Sequence, residues 1–141
     1  MTSPTIVENV NAGPVQRVQG TLSGTYTAAT DVNTTKNASL AAGVLTITLG
    51  FAPTYVKFQN VTQRIFREWY APMAKNTTLD TDANGTQTLN TTSALVINGR
   101  TGAGGSNGAG GSADAATDRT VVVTASGLFT DNDACVWSIT G

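Results

Sequence analysis

Residues 44–49 read Val-Leu-Thr-Ile-Thr-Leu, and the alternation is strict. Leu45, Ile47 and Leu49 share one face, and Thr46 and Thr48 share the other. Successive side chains leave a strand on opposite sides, so a period of two marks a half-buried strand. No window of the chain sustains a period of 3.6 residues. A chain that patterns for strands and never for helices is confined to all-β architectures. Composition agrees. Threonine is the commonest residue, at 25 of 141, against a background poor in Lys and Glu. Helices draw on Lys, Glu, Leu and Gln, whereas Thr and Val suit a pleated surface.

Other segments fit the same class. Residues 55–59 place Val56 and Phe58 on one side and Lys57 on the other. With the turn-like residues 60–63 and the run 64–70, they predict a hairpin that ends at Pro72. Asn84-Gly85 predicts a type I′ turn between short flanking strands. Residues 94–97, 120–125 and 135–140 are apolar or β-branched runs. Residues 15–18 and 22–26 read as short strands broken by Gly20 and Gly24, and residues 30–39 read as a polar loop. Residues 1–14 hold few large apolar side chains and include Pro4 and Pro14, which predicts an extended N-terminal arm with no core role. Glycine fills seven of the thirteen positions from 99 to 111, so residues 99–118 are expected to form a long exposed loop between two core strands. The length suits one domain. The expectation is a single antiparallel β-sandwich or jelly-roll-like domain over residues 15–141, with seven or eight strands.

Charge narrows the function classes. Lys and Arg total 8, Asp and Glu 9, so no basic excess exists to neutralise phosphates, and nucleic acid is not an expected partner. Histidine is absent, which excludes Ser-His-Asp triads, Cys-His dyads and His-ligated zinc. The single cysteine, Cys135, excludes an internal disulfide and a CxxC redox pair, and its apolar neighbours predict a small buried hydrophobe. No run of 18 apolar residues occurs, so no membrane-spanning helix is expected. Residues 1–4, Met-Thr-Ser-Pro, lack the basic and apolar regions of a signal peptide, and synthesis in a cytosol is expected.

Three motifs carry possible chemistry. Asp80, Asp82 and Asn84, followed by Gly85, match the first half of a calcium loop, but Thr91 stands where a bidentate Glu is required. A polar hairpin turn is the plainer reading of this segment. Asp131-Asn132-Asp133 reads as a turn between strands. Glu68 with Asp80 or Asp82 is a conceivable glycosidase couple, set against a surface carboxylate near Arg64 or Arg67. The Gly-rich stretch lacks the Gly-Lys-Ser/Thr of a P-loop. No catalytic residue and no cofactor are expected.

Residues 45–56, Leu-Thr-Ile-Thr-Leu-Gly-Phe-Ala-Pro-Thr-Tyr-Val, precede Asn60-Val61-Thr62 and then Glu68-Trp69 and Met73. This pattern resembles the small β-rich head decoration, or cement, proteins of tailed bacteriophages. The resemblance extends through Thr78-Leu79 to Leu89, residues 94–97, a variable loop and Val136-Trp137, about two thirds of the chain; residues 1–40 lie outside it. It implies a homotrimeric virion protein on the outer capsid surface, made in the host bacterial cytoplasm. Its partners would be the major capsid protein and copies of itself. The contact candidates are Pro4, Ile6, Val7 and Val10 in the arm, and Tyr55, Lys57, Arg64, Arg67, Trp69 and Tyr70 in the hairpin. The alternative is a phage fibre or spike module that binds a host-surface glycan.

Overall fold

A computed structural model describes residues 5–12, 16–24, 33–35, 38–41, 43–49, 51–71, 73–98, 120–125, 128–130 and 132–141. The strands in chain order are β1 (Thr5–Ala12), β2 (Gln16–Ser23), β3 (Asn33–Thr35), β4 (Ala38–Ala41), β5 (Val44–Thr48) and β6 (Tyr55–Asn60). They continue as β7 (Ile65–Tyr70), β8 (Thr78–Thr81), β9 (Gln87–Asn90), β10 (Leu95–Ile97), β11 (Thr120–Thr124) and β12 (Cys135–Thr140). No helix occurs among the described residues. Two antiparallel sheets result, ordered β1-β2-β12-β6-β7-β8-β9 and β10-β11-β5-β4-β3. The protein is a β-sandwich, within the all-β class to which the alternation at 44–49 points.

The core lies between the sheets. Leu45, Ile47, Leu95, Ile97, Val121 and Val123 face it from the five-stranded sheet, and Val18, Leu22, Val56, Phe58, Trp69 and Ile139 face it from the other. All of these are buried. A fully buried aliphatic or aromatic side chain contributes about 1.5–3 kcal/mol, so this interior offsets the backbone entropy of a chain rich in short strands. The Trp69 indole donates to the Ala74 carbonyl at 3.1 Å, which satisfies its one polar atom inside the core. The segment between β7 and β8 ties the two sheets together: the Asn76 and Lys75 carbonyls accept the amides of Ser93 and of Ile97 in β10.

Four expectations change. The first fourteen residues are not a free arm over their described part. β1 pairs with β2 along all eight of its residues, from Thr5↔Ser23 to Ala12↔Gln16. Ile6 and Glu8 are buried on its inner side. A long strand can be held by its backbone ladder, so sparse apolar content did not exclude core contact. Second, Gly20 does not break a strand; β2 runs through it because the Trp137 ring fills the space above it. Third, the Asn84-Gly85 turn is a three-residue connection and not type I′. The Asp82 and Thr86 backbones close it at 3.0 Å, and Gly85 alone in it takes a positive φ, of 86°. A type I turn followed by a left-handed glycine is the three-residue solution to the same strand twist.

The polar stretch at 30–39 contains β3 and the start of β4, so twelve strands stand among the described residues where seven or eight were expected. The Gly-rich stretch, residues 99–119, lies outside the described residues. The residues that flank it are close together: the Asn98 amide donates to the Thr120 carbonyl at 2.8 Å, and β10 pairs with β11.

Candidate functional site

The outer face of the seven-stranded sheet carries the side chains of β6 and β7 that are turned away from the core. On β6 the alternation that buries Val56 and Phe58 turns Tyr55, Lys57 and Gln59 outward. On β7 it turns Phe66, Glu68 and Tyr70 outward and Arg67 and Trp69 inward. Pairing places Tyr55 opposite Tyr70, Lys57 opposite Glu68, and Gln59 opposite Phe66.

The charges in this patch do not pair as register alone would predict. Glu68 accepts hydrogen bonds from the Tyr55 hydroxyl at 2.7 Å and the Tyr70 hydroxyl at 3.3 Å, both on Oε2. The two rings lie 5.1 Å apart and are tilted by 52°. Burial, with the Glu68 charge and hydrogen bond added, raises the Tyr55 phenol well above its ordinary value, and the same causes raise Tyr70. Lys57 makes no ion pair with Glu68. Its Nζ lies 4.6 Å from the Phe66 ring centre, a cation–π contact.

Beside this cluster, a groove of about 390 Å³ crosses β1, β2, β12 and β6 on the same face. Val7, Gln19, Thr21, Lys57, Gln59 and Ser138 line it. The sheet ends at β1 on one side and β9 on the other. Val7 is 58% exposed near the first end and Leu89 is 61% exposed at the second.

The expected contact residues therefore separate. Val7, Tyr55, Lys57 and Tyr70 share the outer face. Arg64 is exposed in the turn between β6 and β7, with a φ of 59°. Ile6 and Trp69 are core side chains and leave the contact set, because surface already packed inside is not offered to a partner. Arg67 points inward and holds Asp80, Nε to Oδ1, at 3.2 Å. Val10 contributes its backbone to β1 opposite Val18, its side chain lies outside the described residues, and so does Pro4. Glu68, Gln19, Gln59 and Ser138 were not among the contact candidates; the alternation at 55–59 is the signal that would have added Gln59.

The acidic motifs resolve into structural roles. Asp80 accepts from Arg67 and Thr78 on Oδ1 and from the Asn90 amide, at 2.8 Å, on Oδ2. Asp82 Oδ1 accepts the backbone N–H groups of Asn84 at 2.9 Å and Thr86 at 3.0 Å, so this carboxylate closes the turn. Glu68 and Asp80 project to opposite faces of the sheet, which removes them as a couple flanking one glycosidic bond. Asp133 is buried, and its Oδ2 accepts from the Asn60 and Gln63 amides and from the Thr130 N–H and hydroxyl. Burial alone would raise its carboxyl; these donors outweigh burial and hold it below the ordinary value. Cys135 is buried, and burial followed by the nearby Asp133 charge pushes its thiol up to about 12. Among the described residues no group of three or more His, Cys, Asp or Glu is placed to hold a metal.

No family model, no curated protein and no solved structure matches the chain.

Proposed function

We propose that this chain is a capsid decoration protein of a tailed bacteriophage. It binds the outer surface of the assembled head and stabilises the major capsid protein lattice. The pattern from Leu45 to Met73 supports the reading. The observation that carries it is the open end of the larger sheet. Among the described residues β1 is the last hydrogen-bonded strand of its sheet, with the backbone groups of alternate residues turned away from β2, and its one charged side chain, Glu8, is turned inward; β3 and β4 of the other sheet lie beside it. A long edge without outward charge is a template for another chain's strand, and natural proteins leave such an edge open where it has a partner.

Strand addition supplies affinity through main-chain hydrogen bonds and asks little of side chains. That suits a protein with 12% charged residues. A protein that contacts neighbouring lattice subunits together binds the assembled state better than free subunits, and so stabilises it by mass action. Trimerisation belongs to the same proposal: β9, the other end of the sheet, carries the exposed Leu89 as a second contact edge.

The test is the number of copies per major capsid protein in purified particles, read with heat release of the genome from particles with and without the chain. Copies near the number of lattice positions, and release at a lower temperature when the chain is missing, are expected. A few copies per particle, or identical release curves at full occupancy, would overturn the reading in favour of a fibre or spike module.

A further inference from the structure

The two end strands of the seven-stranded sheet run in the same direction. Every neighbouring pair in the sheet is antiparallel, and β1 and β9 stand first and seventh in its order. A second copy laid beside the first, with its sheet facing the same way, therefore brings β1 of one copy parallel to β9 of the other. Neither strand carries the charge that keeps sheet edges single. β9 has no charged residue and is exposed on both faces, at Thr88 and Leu89. On β1 the one charge, Glu8, is turned inward; β3 and β4 lie beside β1 from the other sheet, while Val7 on the opposite face stays exposed.

Backbone direction agrees with this pairing. The Gly141 N–H donates to the Gln16 carbonyl and continues the β12–β2 ladder, so Val18, Gly20 and Leu22 bond to β12, and Thr21 bonds to Val7 of β1. Ile6 then directs its N–H and C=O away from the sheet. At the other end the Asp82 N–H donates to the Thr86 carbonyl, so Thr88 and Asn90 bond to β8, and Gln87 and Leu89 direct their backbone groups outward. In a parallel ladder a residue bonds to the two neighbours of the residue opposite it. With Ile6 opposite Thr88 of a second copy, the Ile6 N–H meets the Gln87 carbonyl and the Ile6 carbonyl meets the Leu89 N–H.

The same register sets Val7 beside Leu89. Among the described residues these are the two most exposed large hydrophobic side chains, and both stand on the outer face, Val7 in the row of Phe66 and Leu89 in the row of Glu68. From this complementarity we infer that copies of the chain join head to tail, β9 of one copy adding in parallel to the Thr5–Glu8 half of β1 of the next. Val7 and Leu89 then cover each other, and Leu79 extends the apolar row. A two-fold pair of β9 strands would cover Leu89 and leave Val7 exposed. An antiparallel β1–β9 pair would put Leu89 on the side of the inward Glu8. β9 has four residues and β1 eight, so Asn9–Ala12 stays open for the strand of another protein. The contact deepens the proposed function, on which it rests for the number of copies alone; a head-to-tail contact closes into a ring or continues as a filament.

Disulfide trapping on the purified full chain tests it. Same-face neighbours on paired strands lie within disulfide reach, and the native Cys135 is buried and does not compete. A mixture of Val7→Cys and Leu89→Cys proteins should yield a cross-linked two-chain product under mild oxidation, and neither variant alone should. Both positions are exposed, so each variant should melt with the wild type. In sedimentation the wild type should run as an oligomer, and Leu89→Lys should run as a monomer with unchanged melting. With both cysteines in one chain, a cross-linked series that stops at three chains supports the contact and the trimer together, whereas a series that continues supports the contact and overturns the trimer. Cross-linking of Leu89→Cys alone overturns the inference, because β9 would then pair with itself, and cross-linking of Val7→Cys alone does so for β1. A monomeric wild type, or a mixture that yields no cross-linked product, also overturns it. No capsid enters the experiment, so its failure leaves the binding of heads to be judged by copy number and heat release.

Discussion

Gly20 and Trp137 face each other across the β2–β12 pair, and the indole occupies the volume that a side chain at position 20 would need. A Cβ there would also lie 2.8 Å from the Val7 carbonyl oxygen of β1. One glycine thus leaves room for the Trp137 ring and lets β1 close against β2. Gly20→Ala should cost about 1–3 kcal/mol, the range for forcing volume into a packed site. Trp137→Leu alone should destabilise through the cavity it leaves, by about 2–4 kcal/mol. Combined, the two should cost less than their sum, because the smaller side chain at position 137 frees the space that the added methyl group would fill. Urea unfolding of the four proteins checks the coupling, and strict additivity would mean that the ring does not set the requirement for glycine.

Asp133 gives the fold an acid limit. Its carboxyl lies below its ordinary value in the folded protein, so the charged form is favoured by folding. That contribution is fully present above the unfolded value and is lost as pH falls through the folded one. Stability should therefore decline on the acid side of the ordinary carboxylate range. Asp133→Asn should flatten that decline and cost about 1–3 kcal/mol at neutral pH, because four donors converge on one carboxylate oxygen. Denaturant midpoints measured across the acid range for both proteins decide this, and parallel curves would show that another carboxylate sets the limit.

The Gly-rich segment leaves and returns at one point. The Asn98 amide and the Thr120 carbonyl are hydrogen-bonded, and the Asn98 side-chain amide reaches the Thr120 hydroxyl at 3.2 Å. Closing a loop whose ends are already fixed costs little more for a long segment than for a short one. Deleting residues 101–113 should change stability by under about 1 kcal/mol. A thermal melt of the deletion variant checks this, and a loss of several kcal/mol would place part of the segment in the core.

What the chain disclosed about itself follows from where period two survives. Residues 44–49, 55–60 and 135–140 alternate because one face of each is buried and the other is free, and those strands were legible. β1 and β3 were not, and β9 was legible only through the Asn84-Gly85 turn before it. They are edge strands held by backbone pairing, and their side chains carry little apolar signal. The inward turn of Arg67 was hidden for a different reason. A charge on a core-facing position makes sense only with Asp80 opposite it, and that partner is set by β8 pairing, which no local pattern encodes. The groove on the outer face was equally out of reach, since four strands from separate parts of the chain build it.

The edge at β1 can be tested without breaking the sheet. Removing residues 2–14 is an uninformative way to do so, because that deletion takes away Thr5–Ala12 and with it the buried Ile6. The fold itself should suffer, by the roughly 2–5 kcal/mol of a lost core aliphatic side chain and more for the broken ladder. A paired change, Thr5→Lys with Val7→Lys, separates folding from contact. Both side chains are exposed, so the substitutions should leave the melting behaviour within the range of surface changes, about ±0.5 kcal/mol. Lysines on a sheet edge oppose the approach of another strand, the device by which natural sheets keep such edges single. On the proposed function, the doubly charged variant should fold, fail to remain on heads during sedimentation, and lose the protection against heat release of DNA. Leu89→Lys does the same experiment at the other end of the sheet. If both variants decorate heads at full occupancy and protect the genome as the wild type does, neither edge holds the lattice, and the contact must be sought on the faces.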